Sequence, residues 1–186
     1  AVGVIVEAPA LKAVMGLTGN VVDSTINLSW TNTNSDVTIV LTGSDGSTST
    51  QRISKGTLAA TISNLSYGVA YSITVTPVGG AANLSSTIVL STQPETPQNI
   101  QVSQSGTNLT ITWNASAGST QYRVAVIAAG SNPMTVITNT NKAVVPVKVG
   151  TIYQIIIVGL GTGSLVSKQA ATTATISLVP VKPKTK

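Results

Sequence analysis

The sequence predicts an all-β chain built as two tandem sandwiches joined by a short proline-containing linker. Three observations carry this. Apolar residues alternate with polar ones at period two through most of the chain, which puts each apolar set on one face of a strand. The second half repeats the first: Trp113 follows Trp30 by 83 residues and Tyr153 follows Tyr71 by 82, the period of one small β-domain rather than of a solenoid repeat. Breakers rich in Gly, Pro, Asn and Ser recur between the apolar runs, and no helical period intervenes.

Residues 1–8 come first. Val2, Val4 and Val6 alternate with Ala1, Gly3 and Ile5, so an extended strand here is apolar on both faces. Such a strand asks to be covered on both sides. It pairs either with the edge of its own domain or with a neighbouring chain. Val2, Val4, Ile5 and Val6 are therefore candidate assembly contacts, and the segment is read as a docking segment.

The first sandwich spans 9–93. Pro9 opens its first strand within Ala8–Val14, and a long connection through Gly16, Gly19 and Asn20 leads to the strand of Ile26, Leu28 and Trp30. Val37, Ile39 and Leu41 form the next inward set, closed by the turn Gly43–Thr48. Thr57–Ile62 is too short and too β-branched to prefer helix. Leu65, Gly68 and Tyr71 then lead into a strand with Tyr71, Ile73 and Val75 on one face, followed by the breaker Pro77–Asn83.

Thr92–Gln98, stiffened by Pro94 and Pro97, joins this to the second sandwich, 94–179. Pro97 opens its first strand, and Thr96–Val102 resembles Ala8–Val14. Leu109, Ile111 and Trp113 repeat the Trp30 strand; Tyr122, Val124 and Val126 form the next. Val147, Gly150 and Tyr153 repeat the Leu65/Gly68/Tyr71 spacing and lead into Ile155 and Ile157. Residues 180–186 form a basic tail with Lys182, Lys184 and Lys186.

Taken together, Pro9 and Pro97, Trp30 and Trp113, Tyr122, and the two Leu/Val–Gly–Tyr motifs resemble the fibronectin type III family twice over, along nearly the whole chain. The first copy departs from the pattern in having Val37 or Ile39 where the second has the aromatic Tyr122. The resemblance implies immunoglobulin-like sandwiches in which Tyr71 and Tyr153 are structural tyrosine corners. Each ring enters the core while its hydroxyl reaches backbone upstream. Gly68 and Gly150 let the chain turn ahead of the ring without a Cβ penalty.

Chemistry is scarce. The chain has no His and no Cys, so it can build no His-based triad, imidazole metal site, thiolate site or disulfide. Its acids, Glu7, Asp23, Asp36, Asp45 and Glu95, fall in termini, turns or the linker and do not pair across a strand face, as a glycosidase pair must. Asn32, Asn34 and Asp36 cluster oxygen donors of the kind calcium takes, but a solvated loop accounts for them. Gly159–Gly163 lacks the helix a phosphate-binding loop requires and reads as a hairpin turn. The sequence thus predicts no catalytic, cofactor or metal residue and no enzyme.

The partners follow by exclusion and by resemblance. Charged residues are only 8% of the chain, against about 25% in an average domain, while Ser and Thr supply roughly a quarter and make the surface hydroxyl-rich. The formal charge of +5 is carried largely by the tail, which argues against a nucleic-acid face. No apolar run is long enough for a transmembrane helix, and Ala1–Pro9 lacks the basic leader of a signal peptide. Ala1 fits either initiator-Met removal or signal cleavage. Tyr67 is the one aromatic left over from the cores, which leaves room for no more than a weak contact with host-surface glycans. Asn27, Asn64, Asn83, Asn108 and Asn114 open Asn-x-Ser/Thr sequons, an uninformative set in so hydroxyl-rich a chain. Domains of the resembled kind decorate phage heads, tails and fibres. The expectation is therefore a non-catalytic structural or adhesive protein of a multi-subunit assembly (capsid, tail or filament), on a phage virion surface. The alternatives are a secreted bacterial or archaeal cell-surface or filament subunit, or spacer modules of an extracellular polysaccharide-degrading enzyme.

Overall fold

The computed structural model describes residues 9–31 and 33–176. These form strands, turns and one short 3-10 turn (Ala82–Leu84), with no α-helix among the described residues. The chain divides into two compact units, Ala1–Leu65 with Val69–Thr92, and Ser66–Gly68 with Gln93–Lys186.

The first unit holds β1 (Met15–Val22), β2 (Thr25–Thr31), β3 (Val37–Gly43), β4 (Thr48–Ile53), β5 (Ala59–Ile62), β6 (Ala70–Pro77) and β7 (Ser86–Ser91). They make two antiparallel sheets, in the orders β1-β2-β5 and β4-β3-β6-β7. The alternation seen in the sequence is the packing itself. Ile26, Leu28 and Trp30 face Val37, Ile39, Leu41, Tyr71, Ile73 and Val75 in one buried cluster. The outer face of the four-stranded sheet is hydroxylated: Thr38, Thr42, Thr50, Thr74, Thr76 and Thr87 stand on it in cross-strand rows. Thr74 and Thr87 share a hydroxyl hydrogen bond at 2.9 Å, and Thr76 and Ser85 share one at 2.8 Å.

Here the structure corrects one reading. The first strand is not Ala8–Val14 with a connection through Gly16, Gly19 and Asn20; it is β1 itself, and all three residues belong to it. Gly16, at φ +60°, sits in a register shift between Met15 and Thr18, a bulge that re-aims the strand. Gly19 pairs with Leu28 where a side chain has no room: a Cβ there would lie 2.6 Å from Leu90 Cδ1 and 2.9 Å from Leu28 Cδ2. Glycines that look like breakers are here demanded by a bulge and a close approach. Thr57–Ile62, by contrast, supplies the short strand β5 rather than a helix.

The second unit repeats the plan with β8 (Gln101–Ser105), β9 (Asn108–Thr112), β10 (Gln121–Ala128), β11 (Met134–Thr138), β12 (Lys142–Pro146), β13 (Ile152–Leu160) and β14 (Ala170–Thr175). The sheets run β12-β9-β8 and β11-β10-β13-β14. Leu109, Ile111, Trp113, Tyr122, Val124, Val126, Tyr153, Ile155 and Ile157 lie in its core cluster. Tyr122 meets Trp113 edge-on, with ring centroids 5.1 Å apart and planes at 69°, an arrangement favoured by the ring quadrupoles. Among the described residues of the first unit there is no such pair, since Val37 and Ile39 stand on its equivalent strand.

Candidate functional site

The two Gly–Tyr corners position loops rather than substrates. Gly150 turns at φ +77° and its N–H donates to the Ile176 carbonyl at 2.8 Å. The buried Tyr153 hydroxyl then accepts from the Lys148 N–H at 3.0 Å. In the first copy of the motif Gly68 turns at φ +68°, Tyr71 is buried, and the Leu65 N–H donates to the Ser24 carbonyl at 3.1 Å. The role of Tyr122 goes beyond the core packing read from the sequence. Its hydroxyl accepts from the buried Ser116 N–H at 2.7 Å, so it also closes the loop between β9 and β10. No sequence signal marks that bond, because it depends on the path of a loop.

Three of the described acids, Asp36, Asp45 and Glu95, accept from backbone N–H groups. Asp36 accepts from the Lys55 N–H at 2.9 Å and from Arg52 Nη2 at 2.9 Å and Nε at 3.1 Å. The Lys55 N–H first, and the Arg52 guanidinium second, hold its carboxyl below the ordinary value. Asp45 accepts from the Ser47 N–H at 3.0 Å, and Glu95 from the Ala117 N–H at 3.1 Å. The oxygen-rich loop before β3 is likewise engaged by backbone. Asn34 accepts from the Lys12 N–H at 2.9 Å and donates to the Ala10 carbonyl at 2.9 Å, which ties down the start of the unit, while Asn32 lies outside the described residues. Among the described residues no three His, Cys, Asp or Glu gather where an ion could sit. No helix among them is long and apolar enough to cross a membrane. Tyr67 is half-buried, and Asn27 shares its side-chain oxygen with the Thr61 hydroxyl at 2.8 Å. Val2, Val4, Ile5 and Val6, and with them Lys182, Lys184 and Lys186, lie outside the described residues.

Two surfaces of the second unit remain. A groove of about 330 Å³ is lined by Ala128, Ser131, Asn132, Met134, Lys148 and Tyr153. Its tyrosine hydroxyl is already used by the Lys148 N–H, and a serine without an imidazole partner is no activated nucleophile. The groove can hold a small group by amide and hydroxyl contacts and offers no acid–base pair.

The second surface is the outer face of β11-β10-β13-β14. Ile137 sits opposite Arg123, which sits opposite Val158; Thr135, Ala125, Ile156 and Ala171 make the next row. Ile137 is 60% exposed and Ile152, farther along β13, 62%. The outer face of the first unit's sheet is mainly threonine, with Val40 and Val89 exposed among it; that of the second carries more aliphatic side chains, interspersed with Thr135, Gln154 and Thr173. The signal was in the sequence: Ile155–Val158 is an unbroken apolar run, and a strand apolar on both faces is covered on both sides.

No protein-family model matches the chain, and no curated protein matches it. Among solved structures it is similar to a two-domain fibronectin type III segment of chicken tenascin. The TM-score is 0.65 and the identity 18%, over 87% of this chain and 98% of that one. The fold is that of two tandem fibronectin type III-like sandwiches.

Proposed function

We propose that this chain is a non-catalytic structural or adhesive module of a multi-subunit assembly, carried on a phage virion surface as a decoration, fibre or tail accessory protein. The observation that carries the reading is the division of labour across the described surface. Asp36, Asp45 and Glu95 are bound into loop backbone, while the outer face of β11-β10-β13-β14 exposes aliphatic side chains with no ionisable group but Arg123. An apolar sheet face rimmed by polar residues is the surface of a protein that docks on protein. The two-faced apolar segment Ala1–Ala8 supplies the anchor in this reading, and the basic tail projects from the assembled particle.

A secreted cell-surface or filament subunit of a bacterium or archaeon would use the same surfaces, and spacer modules of a polysaccharide-degrading enzyme would leave them idle. The test is incorporation. Tagged full chain and chain lacking Ala1–Glu7 are expressed in the source cells, with and without virus, and sedimenting particles are collected. Recovery of the full chain in virions, with loss of the truncated one, is the expected result. Recovery in cell-surface filaments selects the alternative, and equal recovery of both chains removes the anchor.

A further inference from the structure

Among the described residues no strand pairs with the outer side of the edge strand β14. The Ile176 N–H donates to the Thr151 carbonyl at 3.1 Å, and this sets the alternation of the ladder with β13. Ala174, Thr172 and Ala170 bond inward to β13, so the N–H and C=O groups of Ala171, Thr173 and Thr175 face away from the sheet. Every side chain of β14 is alanine or threonine, leaving the strand unguarded by the charges, prolines or bulges that usually blunt an edge. Beside it a groove of about 360 Å³ runs between Ala170–Thr172 and Thr96–Ile100, along the seam of the two sheets. The first unit has this seam closed: the Val14 N–H donates to the Leu84 carbonyl at 2.9 Å, and Leu90 packs over Gly19.

A strand laid on β14 would have two unlike surroundings. Its inward side chains would meet a mainly polar groove, in which Ala170 and Ile100 are apolar contacts beside Thr96, Gln98 and Asn99. Its outward side chains would continue the row of Ala171, Ile156 and Ala125. One segment of this chain is apolar on both faces, Ala1–Ala8, with Val2, Val4 and Val6 on one side and Ala1, Gly3 and Ile5 on the other. At about 3.3 Å per residue it spans about 26 Å, enough to cover the roughly 20 Å of β14.

We infer that Ala1–Ala8 of one copy adds to β14 of a second copy as the fifth strand of its β11-β10-β13-β14 sheet. This rests on the assembly reading above and names the partner as the chain itself. Backbone pairing supplies affinity, and the apolar side chains on both faces of the segment add buried contact. Because the contact is heterologous, each copy keeps a free segment and a free edge, and the association grows as an open row unless a rotation closes it.

The chain has no cysteine, so single cysteines report cleanly. Full chain carrying Val4→Cys, or Ile5→Cys for the other face, is mixed with isotope-labelled full chain carrying Thr173→Cys and mildly oxidised. Disulfide-linked heterodimer, identified by mass, is expected from one of the two faces. Pairing with Val89→Cys on β7 is expected to give none. In sedimentation the full chain should associate more as concentration rises, while the chain lacking Ala1–Glu7 stays monomeric with unchanged melting. Absence of the Thr173 cross-link, or equal cross-linking to Val89, overturns the inference. So does unfolding of the truncated chain, which would make the segment a strand of its own unit. If truncation blocks incorporation into particles but no copy-to-copy cross-link forms, the assembly reading stands and the second-copy inference falls. If the truncated chain still incorporates, the anchor reading itself falls.

Discussion

At Tyr153 one hydroxyl holds the Lys148 N–H at 3.0 Å, and at Tyr122 another holds the buried Ser116 N–H at 2.7 Å. Removing the acceptor leaves the buried Ser116 N–H, or the part-buried Lys148 N–H, without its partner, which is what makes such bonds expensive to break. Tyr122→Phe and Tyr153→Phe should each lower stability by about 1–3 kcal/mol, read by chemical denaturation. Unchanged midpoints would mean that water replaces the hydroxyl freely. Asp36 gives a residue-scale prediction of opposite exposure. Its folded pKa is depressed, so its contribution is fully present above the ordinary carboxylate range and is lost as pH falls through the depressed folded value. The stability difference between the native chain and Asp36→Asn should therefore shrink steadily on acidification from neutral to strongly acid pH. A difference that grows would reverse the sign assigned to the group. At this scale the inward residues were legible, since period two alone assigns Ile39, Ile73, Ile111 and Ile155 to cores where they are fully buried. The two hydrogen bonds differed in legibility. The Tyr153 bond runs to backbone inside a recognisable motif, whereas the Tyr122 bond depends on where the loop after β9 happens to pass.

Among elements, β1 resisted reading and β13 was read by half. Local composition marks Gly16, Gly19 and Asn20 as a connection, yet β1 exists because pairing with β2 and packing under Leu90 outweigh the weak propensity of its glycines. The consequence is testable. In Gly19→Val the new side chain meets Leu90 Cδ1, Leu28 Cδ2 and, at 3.1 Å from its Cβ, the Asn27 carbonyl. The two leucine tips can move but the carbonyl cannot, so overpacking should lower stability by about 1–3 kcal/mol. If Gly19→Val melts as the native chain does, β1 does not run where the close approach requires. For β13, attention to Ile155 and Ile157 found the core face, while Ile152 and Ile156 on the other face contribute to the apolar outer surface on which the functional proposal rests, and Val158 on that face is buried. The backbone opening of β14 was not legible at all, because an edge is defined by which strands are missing beside it.

On the scale of the whole chain, internal repetition was the most informative property of the sequence, because one set of spacings found twice assigns both sandwiches together. Repetition also explains what stayed hidden: the copies share their inward residues and differ outside, where the first unit is richer in hydroxyl and the second in aliphatic side chains. Two sandwiches with separate core clusters should respond separately to core damage. Ile73→Val and Ile155→Val each delete one methyl from a fully buried site, at a loss of about 0.5–1.5 kcal/mol. Native-state amide exchange tells the units apart, since each core strand reports the opening of its own unit. Ile73→Val should accelerate exchange in β2, β3 and β6 and leave β10 and β13 unchanged; Ile155→Val should do the reverse. In the double variant the two losses should add within about 0.3–0.5 kcal/mol, as they do for distant sites with no shared partner. Acceleration of exchange in both units by either single change would mean that the chain unfolds as one cooperative body. In that case an anchor strand attached to the first unit could not be tested independently of the fold of the second.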